Sequence, residues 1–142
     1  MSAAVLADQT KAIARKLFDE LWNKGNLAAA DELIDANATH HDPATPDIGT
    51  GPAAQKNLVT MYRSAFPDLS VNVHDIIGEG NVAAIRWTST GTHRGEVFGI
   101  APTGNRMTIT GISVLRTERG KVVESWGNWD TLGLMRQIGA VK

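Results

Sequence analysis

In the stretch Phe66-Pro67-Asp68-Leu69-Ser70-Val71-Asn72-Val73-His74 the chain changes period. Leu69, Val71 and Val73 alternate with Ser70, Asn72 and His74, which is the pattern of a strand with one buried face. The residue before a proline avoids the α region, so Phe66 closes whatever helix precedes it. Helices are expected on the N-terminal side of this boundary and strands on the other.

Upstream, Ile13, Leu17, Phe18, Leu21 and Trp22 recur at helical spacing, with Asp8 as an expected N-cap. Gly25 stops this helix, and Asn26 can cap a second one carrying Leu27, Ala30, Leu33 and Ile34. Asn37 to Asp42 reads as a brief extended segment. Residues 43–51 hold two prolines and two glycines, which is loop composition. Pro52 suits the first turn of a third helix, with Asn57, Leu58, Met61, Tyr62 and Phe66 on one face.

Downstream, Gly78 to Asn81 is a turn and Val82 to His93 a long strand rich in Ile, Trp and Thr. Arg106 to Arg116 and Val122 to Trp129 are further strands joined by a tight turn at residues 118–121, and Thr131 to Ile138 is a short terminal helix. Helices grouped before strands indicate α+β. Long strands joined by hairpins bend strongly, and helices packed inside the bend leave a conical cavity open at one end. The expected architecture is one domain over residues 1–142.

The formal net charge of -1 lacks the basic footprint of a nucleic-acid binder. With no cysteine there is no thiolate nucleophile, disulfide or cysteine metal site. No apolar run reaches the length of a membrane helix, and Met1 to Thr10 lacks a secretory h-region. A cytoplasmic protein is the expectation. Neither a phosphate-cradling glycine loop nor a G-x-S-x-G elbow is present. His40, His41, His74 and His93 show no metal-ligand spacing.

The run Lys121-Val122-Val123-Glu124-Ser125-Trp126-Gly127-Asn128-Trp129-Asp130 carries the densest chemistry. Strict alternation puts Glu124, Trp126, Asn128 and Asp130 on one face. A carboxylate beside Trp and Asn in an apolar cone suits proton transfer. The same Asp130 also fits the N-cap of the helix starting near Thr131, so both readings stand on sequence. In His40-His41-Asp42-Pro43, adjacent histidines face opposite ways, and only one can enter a cavity. On the strand around Arg86-Trp87-Thr88, parity leaves open whether Arg86 or Trp87 with His93 faces inward.

Phe66-Pro67-Asp68, residues 86–93, Phe98-Gly99-Ile100-Ala101-Pro102-Thr103-Gly104, and the segment from Gly120 to Leu134 together resemble the SnoaL-like polyketide cyclases. These form a branch of the cone-fold superfamily that includes ketosteroid isomerase and nuclear transport factor-like proteins. The resemblance runs from about residue 10 to 139. It implies a cone-shaped α+β barrel with N-terminal helices packed in a strongly curved, mostly antiparallel sheet. It also implies a deep pocket, dimerisation through the sheet and no cofactor. Asp130 matches the family's general acid/base, and His41, rather than His40, matches a recurring pocket position. Asn57 and Tyr62 match pocket positions on the third helix. Arg86, Trp87, His93, Trp126 and Asn128 complete the expected substrate-binding set. The implied activity is a cofactor-independent aldol-type ring closure of a small, hydrophobic, carbonyl-containing polyketide-like molecule. Two alternatives on the same fold are a non-catalytic apolar ligand-binding or dimerisation module, and an epoxide hydrolase or isomerase using Glu124 and Arg86.

Overall fold

The computed structural model describes residues 1–141. Helix α1 (Ala3–Lys16) starts earlier than its apolar pattern indicates, because the Ser2 hydroxyl accepts the Val5 N–H and caps it. Asp8 is therefore inside the helix, paired with Lys11 at 3.5 Å. The helix continues as a π-helical segment, Leu17–Asn23, which buries Leu17, Phe18 and Leu21. At its end the Asn23 amide acts as one more residue of sheet. Its Nδ2–H donates to the Val71 carbonyl at 2.9 Å, and its Oδ1 accepts the Val71 N–H at 2.7 Å.

Helix α2 (Ala28–Leu33) runs straight into β1 (Ile34–His41), which begins before the extended segment expected from composition. Helix α3 (Gly51–Ala65) follows, with Pro52 in its first turn. Strands β2 (Ser70–Glu79), β3 (Val82–Thr92), β4 (Arg106–Glu118) and β5 (Lys121–Trp129) form a meander, and α4 (Thr131–Gln137) ends the fold. The β4–β5 turn is Arg119-Gly120, with φ of 50° and 77°, the conformation a two-residue hairpin needs.

The sheet order is β1-β5-β4-β3-β2. All pairs are antiparallel except β1 with β5, which run parallel. The fold is thus α+β with a curled, mostly antiparallel sheet. One long-range pairing was not visible locally: β1 sits between two helices in sequence yet closes the sheet against the last strand.

Two apolar clusters fill the curl. One gathers Ala14, Leu17, Leu21 and Ala30 from the helices with Ile85 and Leu115 from the sheet. The other joins Phe66, Leu69, Met107 and Ile109 to Leu134 and Ile138 of the C-terminal segment. Trp22 and Trp87 pack against both. Burial on this scale is the main favourable contribution to folding. No helix is long and apolar enough to cross a membrane.

Candidate functional site

Between the two clusters lies a cavity of about 120 Å³, well above the ~10–15 Å³ that a single water requires. Its walls come from every layer of the fold. Leu17, Phe18 and Trp22 enter from the π-helical segment, Gln55, Leu58 and Tyr62 from α3, and Trp87 and Ser89 from β3. The α3 residues are spaced by three and four, so they share the helix face turned to the sheet.

The polar end is built by β1 and β5. Parallel pairing sets His40 against Ser125 and His41 against Trp126. Strand β5 carries a bulge, because Arg116 pairs with Glu124 while Thr117 pairs with Val122, leaving Val123 as the extra residue. Beyond it, Ser125, Gly127 and Trp129 face the cavity. That is the opposite parity from Glu124, Asn128 and Asp130.

His40 faces inward, and its Nδ1 lies 2.6 Å from Ser125 Oγ. Asp42, just past the end of β1, points the same way. Its Oδ2 accepts the Trp129 indole N–H at 3.2 Å, and its Oδ1 accepts the Ala44 N–H at 2.8 Å. The two side chains meet over Gly127. A methyl group built there would sit 3.8 Å from Asp42 Oδ2 and 3.9 Å from His40 Nε2. Glycine keeps open the space between the carboxylate and the imidazole. His40, Asp42 and Trp126 also line a shallow outer depression with His41, Pro43, Pro46 and Asn128, so this end of the cavity is its mouth.

The residues expected from sequence to form the site fall in different places. Tyr62, Trp87 and Trp126 line the cavity. Asp130 does not. It is exposed, and its Oδ1 accepts the Gly133 N–H at 2.8 Å as the N-cap of α4. The bulge at Val123 and the turn into α4 leave the carboxylate on that helix terminus. His41 is exposed, bonded through Nε2 to Glu124 Oε2 at 2.8 Å and stacked on Trp126 at 5.5 Å. His40 therefore replaces it in the cavity. Asn57 lies on the exposed face of α3, two residues from Gln55. Arg86 is exposed and paired with Asp75 at 2.7 Å, because the parity that brings Trp87 inward turns it out. His93 is buried, but outside the cavity, with Nδ1 accepting the Thr103 N–H at 3.2 Å. Asn128 is exposed and reaches only the outer depression. Local pattern missed Asp42, His40, Ser125, Trp129 and Gln55. The one available signal was the alternative parity, Ser125-x-Gly127-x-Trp129.

The Asp130 placement has a direct consequence. Asp130→Asn is expected to keep both the cap and any turnover, since Asn caps as well as Asp. Asp130→Ala is expected to lower stability by about 1 kcal/mol. Urea unfolding beside a turnover assay checks both. Loss of turnover in the Asn variant would put the carboxylate back in the chemistry.

The electrostatics of the polar end are set by burial. Desolvation pulls the His40 imidazole below its ordinary range, His41 adds to that, and Asp42 pulls the other way. His40 is thus neutral in the folded protein near neutral pH. The unfolded chain binds this proton more readily, so His40 contributes stability that is present above 6.5 and is lost as pH falls below it. His40→Gln is expected to flatten the fall in the urea midpoint across that window. An unchanged slope would contradict the burial assigned to the ring. Tyr62 is shifted in the opposite sense: burial first, then the Asp42 charge, hold its phenol protonated far above the usual range. Among the described residues no three His, Asp or Glu side chains converge to hold a metal ion.

The geometry can be set beside known proteins. The family profile described as SnoaL-like polyketide cyclase matches residues 12–138. None of the curated proteins matches the chain. A candidate polyketide cyclase from Acidithiobacillus ferrooxidans is 28% identical, with all of both chains covered and a TM-score of 0.83. IdmH, a candidate polyketide cyclase from Streptomyces antibioticus, is 28% identical over 92% of this chain and 99% of its own, with a TM-score of 0.80. AclR, a candidate hydroxylase from Streptomyces galilaeus, is 29% identical over 96% and 99%, with a TM-score of 0.83.

Proposed function

The chain belongs to the SnoaL-like polyketide cyclase family, and from that membership we propose that it closes a ring in a polyketide-like carbonyl substrate by general acid/base catalysis, with Asp42 as the proton-transferring group. One observation carries the reading. An anchored carboxylate and a neutral imidazole flank an open space at the mouth of an otherwise apolar, aromatic-lined cavity.

The Trp129 and Ala44 N–H groups fix the direction of the Asp42 carboxylate and leave lone pairs for a substrate proton. Asp42 takes a C–H proton flanked by two carbonyls, and the electron pair of that bond becomes the enolate. The enolate carbon attacks a second carbonyl of the same molecule. One C–C bond forms, and the carbonyl π pair moves to its oxygen. Protonated Asp42 returns the proton to that alkoxide. The sequence is an isomerisation with no net change in protons or electrons. His40, with Ser125 donating to Nδ1, presents Nε2–H to the attacked carbonyl oxygen. Holding both carbonyls in one cavity supplies much of the acceleration, because the reaction is intramolecular.

The test is to incubate the protein with an activated polyketide-like methyl ester and follow cyclised product, with calorimetric binding in parallel. Product formed faster than in buffer supports the reading. Binding without product favours a ligand carrier on the same fold.

A further inference from the structure

Three buried side-chain polar atoms lack a hydrogen-bond partner among the described residues: Thr45 Oγ1, His93 Nε2 and Tyr62 Oη. Of the three residues, only Tyr62 lines the cavity. A buried tyrosine hydroxyl usually finds a partner, and leaving one unmade is costly. This one has little freedom to seek another. Trp22 and Phe98 lie 6.2 Å from its ring, and Trp129 stands edge-on at 5.9 Å. Phe98 is held there by a turn in which its own φ is 51°. Trp129 also donates its indole N–H to Asp42. A single indole therefore positions both the carboxylate and the phenol ring.

The geometry points to the Tyr62 hydroxyl as the donor that binds the enolate oxygen of the ligand. The site then takes an enolisable carbonyl compound on an apolar, planar skeleton. This rests on the proton-transfer reading of Asp42 and adds a fixed donor for the enolate oxygen, distinct from the one His40 offers the attacked carbonyl. Burial and the nearby Asp42 charge keep the phenol protonated, so it remains a donor throughout. While Asp42 is ionised, an oxyanion at Tyr62 is opposed by its charge. Once Asp42 holds the substrate proton, that opposition is gone. The site thus favours the enolate over the free anion.

The test uses an unreactive oxyanion. Asp42→Asn is taken as the neutral, proton-loaded state, with 4-nitrophenolate as the probe and nitrobenzene as its counterpart without the oxygen. Calorimetry is done at a pH where 4-nitrophenol is ionised and the Tyr62 hydroxyl is not. Adding Tyr62→Phe is expected to raise the Kd for 4-nitrophenolate by about tenfold to a hundredfold, the usual weight of a hydrogen bond to a charged group. The Kd for nitrobenzene is expected to stay unchanged. Equal affinity of the two variants for the phenolate overturns the assignment, as does an equal loss for both probes. Tyr62→Phe in the wild-type background is expected to melt at the same or a higher temperature, since it removes an unpaired buried hydroxyl. A lower Tm overturns the assignment too, by showing that the hydroxyl was bonded within the protein. The probe does not react, so failure here leaves Asp42 chemistry standing. Retained turnover in Asp42→Asn would sink the Asp42 reading independently.

Discussion

Asp42→Asn is expected to lower turnover by about a thousandfold, within the range for loss of a positioned general base. Affinity for the unreacted substrate is expected to change only a few-fold. The amide matches the carboxylate in size, and its oxygen can still accept from Ala44 or Trp129. It cannot accept a proton from carbon at neutral pH. Stability is expected to fall by only about 1 kcal/mol, the weight of one weakened hydrogen bond. Single-turnover kinetics separate the two effects, and deuterium uptake at the substrate's acidic carbon reports the first step directly. A kcat within a few-fold of wild type, or unchanged deuterium uptake, would remove Asp42 from the mechanism. Unimpaired binding with lost chemistry would distinguish a catalytic carboxylate from one that only shapes the mouth.

The second large effect is expected from a residue with no side chain. Gly111 pairs with Trp87 across β3 and β4, and the indole lies over it. A methyl group at residue 111 would fall 2.3 Å from the Trp87 Cζ2 atom, so Gly111→Ala must push the ring away. That displacement also breaks the bond from Trp87 Nε1–H to Ser113 Oγ, now 3.1 Å. Overpacking and the lost bond together are expected to destabilise by about 2–4 kcal/mol. For a chain of this length the Tm should fall by roughly 5–15 °C. Because Trp87 lines the cavity and packs against both clusters, ligand affinity should fall as well. Trp87→Phe shortens the ring that the added methyl group would strike. In a double-mutant cycle the combined variant should therefore be more stable than the sum of the single changes predicts. Additive losses, or an unperturbed Gly111→Ala melt, would show that the indole does not rest on residue 111.

These two sites differ in how they could be read from the chain. The α+β order was legible because Phe66-Pro67 marks a switch in apolar period and the turns at residues 80–81 and 119–120 are local chemistry. The cavity face of α3 was partly legible, since Tyr62 follows the same period as Leu58. Which carboxylate stands at the cavity mouth was not. Alternation along β5 fails at Val123, where one unpaired residue reverses the facing of the residues after it, although Trp126 still lines the mouth from the outward parity. That reversal brings Ser125, Gly127 and Trp129 inward, and it leaves Asp130 to the helix end, where its local preference as an N-cap prevails. His40 and Asp42 depend on a parallel pairing with a strand some 80 residues downstream. No short window of sequence encodes that contact. The family resemblance identified the cone and its apolar interior. It did not identify which carboxylate enters, because that depends on the register of this chain.

The same pairing governs when the site comes into being during synthesis. The bonds that build the mouth join residues 85 and 87 positions apart, His40 to Ser125 and Asp42 to Trp129. Contacts this distant close late and slowly compared with helices and hairpins. A nascent chain that has released β1 to β4 carries most of its apolar core but lacks the Ser125 bond to His40 and the Trp129 bond to Asp42. Its open β4 edge and unlidded interior are exposed until the last strand leaves the ribosome, which makes this the interval of greatest aggregation risk. The cavity mouth is therefore among the last parts of this fold to form.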